Sequence, residues 1–223
     1  MAAIPKPAST VVLIDDSLRV YLTKRPKTMK FLGGYYVFPG GKVDKGDSEL
    51  GHMKFALDHS PHYSHYVAAA RELFEEIGIL LASKEVGTVM GVEKEFEYRR
   101  LLINGEITFV EMLKEEGMQM DLTNLKYFGQ IITPEFYPIR FDTRFFLAKV
   151  PEGQIPKPHP EEIESAFWIH PEAALRNYDY GELQFAPPTI HTLKALVAFR
   201  EGDELVMPEY NLSDYFNLGN WKK

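Results

Sequence analysis

The nine residues Arg71-Glu72-Leu73-Phe74-Glu75-Glu76-Ile77-Gly78-Ile79 carry the densest chemistry in the chain. On a helix, Glu72, Glu75 and Glu76 fall on one face as i, i+3 and i+4 neighbours. Carboxylates so crowded repel one another. Hard divalent cations with oxygen ligands, Mg²⁺ above all, relieve that repulsion. The other face presents Tyr66, Ala70, Leu73, Phe74 and Ile77, the spacing of a helix packed on a core, and Gly78 supplies its stop. A lone E-x-x-E-E is usually a solvated helix face. Three carboxylates aimed from a helix with a buried opposite face read instead as a metal site.

The elements around this helix must bring it to a substrate. The helix itself is expected from Ser64, as N-cap, to Ile77. Strands are expected at 10–14 and 18–23, joined across Asp15-Asp16-Ser17, and at 35–38, ending at Pro39-Gly40-Gly41. A helical pair is expected at 93–103 and 106–117, broken by Asn104-Gly105. Further strands are read at 127–132, 143–150 and 163–169. A helix then opens at Pro171 and runs to about Asn177, and a last one runs from Pro187-Pro188-Thr189 to about Arg200. Strands mixed with helices imply an α/β domain with a mixed sheet between helical layers.

Composition bounds the rest. The 223 residues, 45% hydrophobic and 26% charged, fit one globular domain spanning 1–223. No run of about 18 apolar residues is present, so no membrane span is expected, nor does Met1-Ala2-Ala3-Ile4 read as a leader. The absence of cysteine removes disulfide, thiolate and zinc–cysteine chemistry. A net charge of −7 argues against a broad nucleic-acid surface, though not against a small anionic substrate drawn in by bound cations. The cytoplasm is the default location, and the oligomeric state is left open.

The segment from Arg71 resembles the second half of the Nudix box, G-x5-E-x7-R-E-U-x-E-E-x-G-U with U bulky and apolar. All seven specified positions of R-E-U-x-E-E-x-G-U are met, with Phe38-Pro39-Gly40-Gly41 upstream. The resemblance implies the Nudix α/β/α sandwich. It also implies hydrolysis of a nucleoside diphosphate linked to another group, with Mg²⁺ or Mn²⁺ held by Glu72, Glu75, Glu76 and the Gly40 carbonyl. Gly41 would face the substrate. Arg71 would orient a carboxylate, and the three glutamates are not divided between ligand and general base. The first box acid falls at Asp47, with Glu49 as the other choice. Between Asp47 and Arg71 stand 23 residues, 48–70, where the pattern allows seven, so an insertion at about 51–66 is expected. Its His52, His59, His62 and His65 read as a polar excursion rather than a metal cluster.

Leu22-Thr23-Lys24-Arg25, Lys30, Gly34 and Phe38 to Gly41 further resemble the motif L-L-T-x-R-[SA]-x3-R-x3-G-x3-F-P-G-G of coenzyme A diphosphatases. Tyr21, Pro26 and Lys30 depart from it, and Lys30 lacks the planar fork of arginine. Arg140-Phe141-Asp142-Thr143-Arg144 resembles the same branch, including its peroxisomal animal members, which also carry an insertion in the box. Asn220-Trp221-Lys222-Lys223 is not a peroxisomal Ser-Lys-Leu address. The resemblance spans about Thr10 to Thr189. It implies coenzyme A or acyl-coenzyme A as substrate, with Arg25 and Lys30 at the 3′-phosphate and Arg140 and Arg144 either at phosphate or in a structural ion pair. Glu161, Glu162 and Glu164 are read as solvated acids, with a loop base as the other reading. Tyr35 and Tyr36 are read as buried strand aromatics. ADP-ribose or nucleotide-sugar hydrolysis is the alternative activity, and a non-catalytic ligand-sensing module the alternative class.

Overall fold

The computed structural model describes residues 2–49, 63–83 and 90–208. Most of the expected insertion, with His52, His59 and His62, lies outside the described residues; 63–66 form the first turn of the helix that carries the three glutamates.

The first strand, β1 (Lys6–Ile14), is the axis of the sheet. It begins four residues earlier than its hydrophobic run suggests because all nine residues pair in parallel with a distant strand. The turn at Asp15–Leu18, with Asp15 capping Ser17 and Arg19, leads to β2 (Val20–Lys24). Next come β3 (Tyr36–Val37), shorter than expected, and β4 (Gly40–Lys42), which sequence periodicity did not reveal. A single 3-10 turn (Lys45–Ser48) precedes helix α1 (Tyr63–Ile77), in which Ser64 is already helical rather than the N-cap.

After β5 (Ala82–Ser83) comes the helical pair, α2 (Val92–Ile103) and α3 (Phe109–Glu115). Thr108 caps α3 in a reciprocal box with Glu111, which moves its start past residue 106. The end of α3 returns to α2, where Tyr98 donates to Glu116 at 2.8 Å and Lys94 pairs with it, so the two run antiparallel. Then follow β6 (Gln119–Met120), β7 (Lys126–Ile132), β8 (Phe141–Lys149), β9 (Ser165–Ile169), α4 (Pro171–Asp179) and α5 (Pro187–Arg200). Both last helices carry proline in their first turn, as read from the sequence.

The main sheet runs β3-β2-β1-β8-β7, with β9 paired to β2 and β4 paired to β1. Strand β8 takes one edge of β1 along its whole length, from Lys6↔Phe141 to Ile14↔Lys149. The other edge is shared: β4 covers its start, Ala8↔Lys42 to Thr10↔Gly40, and β2 meets its end at Ile14↔Val20. β5 and β6 form a separate two-stranded sheet. One core, built on Val11, Leu13, Leu73, Phe74, Phe109 and Phe146, joins the sheet to α1, α2 and α3. A second, built on Val12, Leu22, Phe128, Phe145, Ile190 and Leu193, joins its other face to α4 and α5. Three layers result, helix on mixed sheet on helix. Among the described residues no helix is long and apolar enough to cross a membrane.

Helix α1 is buried almost all round, so its position is fixed from several sides. Ala70, Leu73, Phe74 and Ile77 enter the core as expected, and Tyr66 lies 4.6 Å from Phe146, ring to ring. The C-terminus is held as tightly. Gly78, at φ +70, returns its N–H to Phe74, and the buried Arg99 donates to the carbonyls of Glu75 (3.0 Å) and Glu76 (2.9 Å). Main-chain N–H groups of Lys157 and His159 reach Ile77 and Glu76, each at 2.7 Å. A cation at this end also complements the helix dipole. Replacing Arg99 by alanine would strand the Glu75 carbonyl in the interior and leave Glu76 with the His159 N–H alone. A loss of about 3 kcal/mol is expected in urea unfolding, with only partial rescue by lysine, which cannot span both acceptors.

Candidate active site

Arg71 stands at the centre of the carboxylate face and is buried. Its five N–H donors all find acceptors. Nε donates to Asp47 Oδ1 (2.9 Å), Nη1 to Glu72 Oε1 (2.9 Å) and Glu75 Oε2 (2.8 Å), and Nη2 to the Lys42 carbonyl (2.7 Å) and Asp47 Oδ2 (3.1 Å). No donor is left for a substrate, so this arginine organises carboxylates. Burial opposes its charge, but Glu72, Asp47 and Glu75 outweigh that and hold it protonated. Asp47, on the 3-10 turn, is buried and also accepts the Asp44 N–H (2.7 Å), whereas Glu49 is exposed. Asp47 is thus the acid that the structure brings to Arg71.

The glycine pair lets the helix approach the sheet. A β-carbon on Gly41 would stand 2.3 Å from Glu72 Oε1, and one on Gly40 would stand 2.3 Å from the Ser9 carbonyl oxygen. Glu76 takes a main-chain hydrogen bond from Gly40, while its Oε2 is buried without a partner among the described residues.

Burial raises the proton affinity of all three box glutamates. Glu72 is pushed up to about 7 and Glu75 to about 8, with Arg71 pulling each partly back; burial, with Glu72 and Glu162 nearby, holds Glu76 well above its ordinary value too. Glu162 is raised too, by burial above all, with Arg25 opposing the shift. Five acids (Asp47, Glu72, Glu75, Glu76 and Glu162) thus face two guanidinium groups, Arg71 and Arg25. Among the described residues no three such acids close round one point, because Arg71 draws an oxygen from both Glu72 and Glu75. The remaining oxygens, the orphaned Glu76 Oε2 and the excess negative charge nevertheless suit a hard divalent cation.

Glu72, Glu75 and Glu76 floor a cleft of about 600 Å³. Gly40, Gly41, Arg25 and Glu162 line it with them, and Phe31, Leu32, Ile139 and Phe141 form an apolar wall. Glu162 corrects the expectation of a solvated acid: its loop is tied to the end of α1 through His159 and Lys157, which turns Glu162 inward. Glu161 is exposed, and Glu164 pairs with Lys24 at 2.6 Å. Three expected substrate contacts are not at the cleft. Lys30 is exposed on its loop. Arg140 is spent on the carbonyls of Thr133 (2.8 Å) and Ala3 (2.6 Å). Arg144 pairs with Asp142 on the face of β8 opposite to Phe141 and Thr143, which line the cleft. Tyr36 packs on Phe167 and Phe185, away from it. Sequence reading passed over Lys6 and Phe31, both at the cleft, and Arg99 and His159 behind it. Their partners lie far along the chain, and no local pattern marks them.

Comparison with known proteins accords with this geometry. The structure superposes on a Nudix hydrolase from Alicyclobacillus acidocaldarius with a TM-score of 0.79, at 32% identity, over 93% of this chain and 99% of that one. The MutT protein from Methanosarcina mazei Go1 shares the fold at 13% identity, with a TM-score of 0.51 over 90% of this chain and 99% of that one. The family model for the NUDT19 Nudix domain matches residues 60–196, and the chain belongs to that family of Nudix hydrolases. It is 29% identical to nudix hydrolase 7 of Caenorhabditis elegans over 88% of its length. It is 25% identical to the acyl-coenzyme A diphosphatase NUDT19 of Xenopus laevis over 83%. In both cases it spans 61% of the relative's length.

The raised carboxylates fix the sign of a stability effect. In the metal-free protein the folded state keeps protons on Glu72 and Glu75 that the unfolded chain releases near 4.5. Stability therefore falls as pH rises from there through about 7 and about 8. Thermal melts should show this decline, and Mg²⁺ should raise Tm more at the alkaline end. Glu76→Gln should stabilise the metal-free protein there and shrink the Mg²⁺ shift. An unchanged shift would remove Glu76 from the cation site.

Proposed function

We propose that this protein is a metal-dependent pyrophosphohydrolase whose substrate is coenzyme A or an acyl-coenzyme A. Water would cleave the P–O–P bridge to give 3′,5′-ADP and (acyl-)4′-phosphopantetheine. The observation that carries this reading is the convergence of Glu72, Glu75, Glu76 and Glu162 with Arg25 in one cleft. The likeness to the Xenopus laevis acyl-coenzyme A diphosphatase supports the choice of substrate.

Glu72, Glu75, Glu76 and the Gly40 carbonyl are the groups that would hold Mg²⁺ or Mn²⁺. Bound there, divalent ions would offset the charge of the pyrophosphate and make phosphorus more electrophilic. The chain's own residues supply the rest. Arg71, saturated by its five acceptors, keeps Glu72 and Glu75 from swinging to solvent. Arg25 spends only Nε, on the Phe31 carbonyl (3.2 Å), and its terminal nitrogens have no hydrogen-bond partner among the described residues. That planar fork suits a phosphate oxygen pair. Glu162 is the residue assigned to accept the proton of the attacking water at its carboxylate. It lines the cleft, no arginine is hydrogen-bonded to it, and burial raises its basicity.

Glu75→Gln and Glu76→Gln should each abolish turnover with the fold intact by circular dichroism; full activity in both would end the metal assignment. Glu162→Gln should lower kcat by about 10²–10⁴ and remove the acidic limb of the pH–rate profile. A profile of unchanged shape would deny it the proton-accepting role. Coenzyme A, acyl-coenzyme A, dephospho-coenzyme A and ADP-ribose, assayed with Mg²⁺ or Mn²⁺ and products identified by mass, decide the substrate. Preference for ADP-ribose would overturn the coenzyme A reading and keep the chemistry.

A further inference from the structure

Part of the cleft lining is apolar. Phe31 and Phe141 meet edge to face with ring centroids 5.1 Å apart, flanked by Leu32 and Ile139. Phe31 and Ile139 remain 36% and 45% exposed, so their faces are available from the cleft mouth. This is not an accident of a loose loop. Arg25 and its neighbours close residues 25–35 through main-chain bonds, Arg25 N–H to Tyr35 and Gly34 N–H to Arg25. A β-carbon on Gly33 would stand 2.6 Å from the Met29 carbonyl oxygen, and Leu32 is held at φ +53, a conformation few side chains adopt. The loop is wound tightly to present Phe31 and Leu32.

Lys6 stands beside this wall. It is the register partner of Phe141 in the parallel pairing of β1 with β8, and both residues line the cleft. Its ammonium has no hydrogen-bond or ion-pair partner among the described residues.

From this arrangement we infer that the Phe31–Phe141 wall stacks the base of the nucleotide half of the substrate, and that Lys6 contacts a phosphate carried on its ribose. The inference rests on the proposed pyrophosphohydrolase reading and deepens it by assigning residues to the base and to the ribose phosphate. Position decides between the apolar groups of such a substrate. Arg25 ties the wall directly to the proposed phosphate site, since its Nε donates to the Phe31 carbonyl. A base lies one ribose away from the pyrophosphate, whereas an acyl group lies beyond the whole pantetheine arm. The wall offers the base no side-chain hydrogen bond, so recognition there is by stacking, which every base can satisfy. Selectivity then falls to the cation. Lys6 takes the role that sequence reading gave to Lys30.

Calorimetric titration of the full chain with AMP and with 3′,5′-ADP, in Mg²⁺, tests this without turnover. The wild type should prefer 3′,5′-ADP by about tenfold, within the range expected for a charge-assisted contact. Lys6→Ala should erase that preference and leave AMP affinity unchanged, while Lys6→Arg should retain it. Phe31→Ala should weaken both ligands by about tenfold, the size of one lost stacking contact, and Phe31→Tyr should restore them. A preference that survives Lys6→Ala, or an equal loss for both ligands, overturns the Lys6 assignment. Unchanged binding in Phe31→Ala overturns the base assignment, and a defect confined to acyl-coenzyme A turnover would give the wall to the acyl chain. Lys6-dependent binding without coenzyme A hydrolysis would keep the subsite and sink the proposed activity. Hydrolysis without Lys6-dependent binding would do the reverse.

Discussion

A single buried guanidinium sets the geometry of the candidate site. Arg71 spends its whole donor set on two glutamates of its own helix, on an aspartate from the 3-10 turn, and on a carbonyl of β4. Helix α1 is thereby held to β4 and to the 3-10 turn that follows it. Lysine could match the charge but not the five-pronged geometry, because its ammonium is a compact point charge with three rotatable donors. Breaking such a buried arrangement by removing one partner typically costs about 3–5 kcal/mol, since the others are left charged and dry.

Around this cluster the molecule carries more buried carboxyl groups than its own cations can pair. The sandwich tolerates this because the helix that bears the acids is anchored at both ends by other means. Ser9 Oγ donates to the His65 carbonyl at the start, at 2.7 Å, and Arg99, Lys157 and His159 occupy the carbonyls at the finish. The same bonds carry the loop with Glu162 to the cleft. Helix α2, remote from the glutamates in sequence, therefore helps to set the position of a fourth acid across from them.

Much of this was legible in the sequence, and the reasons for the rest are physical. The α1 pattern could be read because a helical period repeats over fifteen residues and imposes a face. Strands of two or three residues, such as β4 and β6, carry no period to detect. Asp142 and Arg144 project from the same face of β8, as alternation along a strand requires. The face that meets the cleft is decided by the neighbouring strands, and it is the one bearing Phe141 and Thr143. Glu162 looked solvated because three acids within four residues usually are, and its inward turn depends on main-chain bonds to α1. Lys6 lies outside every motif. It matters only because β1 extends to meet β8 in parallel.

The bond between Asp47 and Arg71 also explains how a motif of fixed spacing can be interrupted. In the family pattern seven residues join the acid to the arginine; here 23 do, and yet the two side chains meet at 2.9 Å. The entropy of closing a loop grows only with the logarithm of its length, so the lengthening costs about 1 kcal/mol. A bidentate pair buried on both sides outweighs that amount. What the motif preserves is therefore an encounter between two side chains rather than a number of residues. Sequence can therefore be added between the two without undoing that encounter.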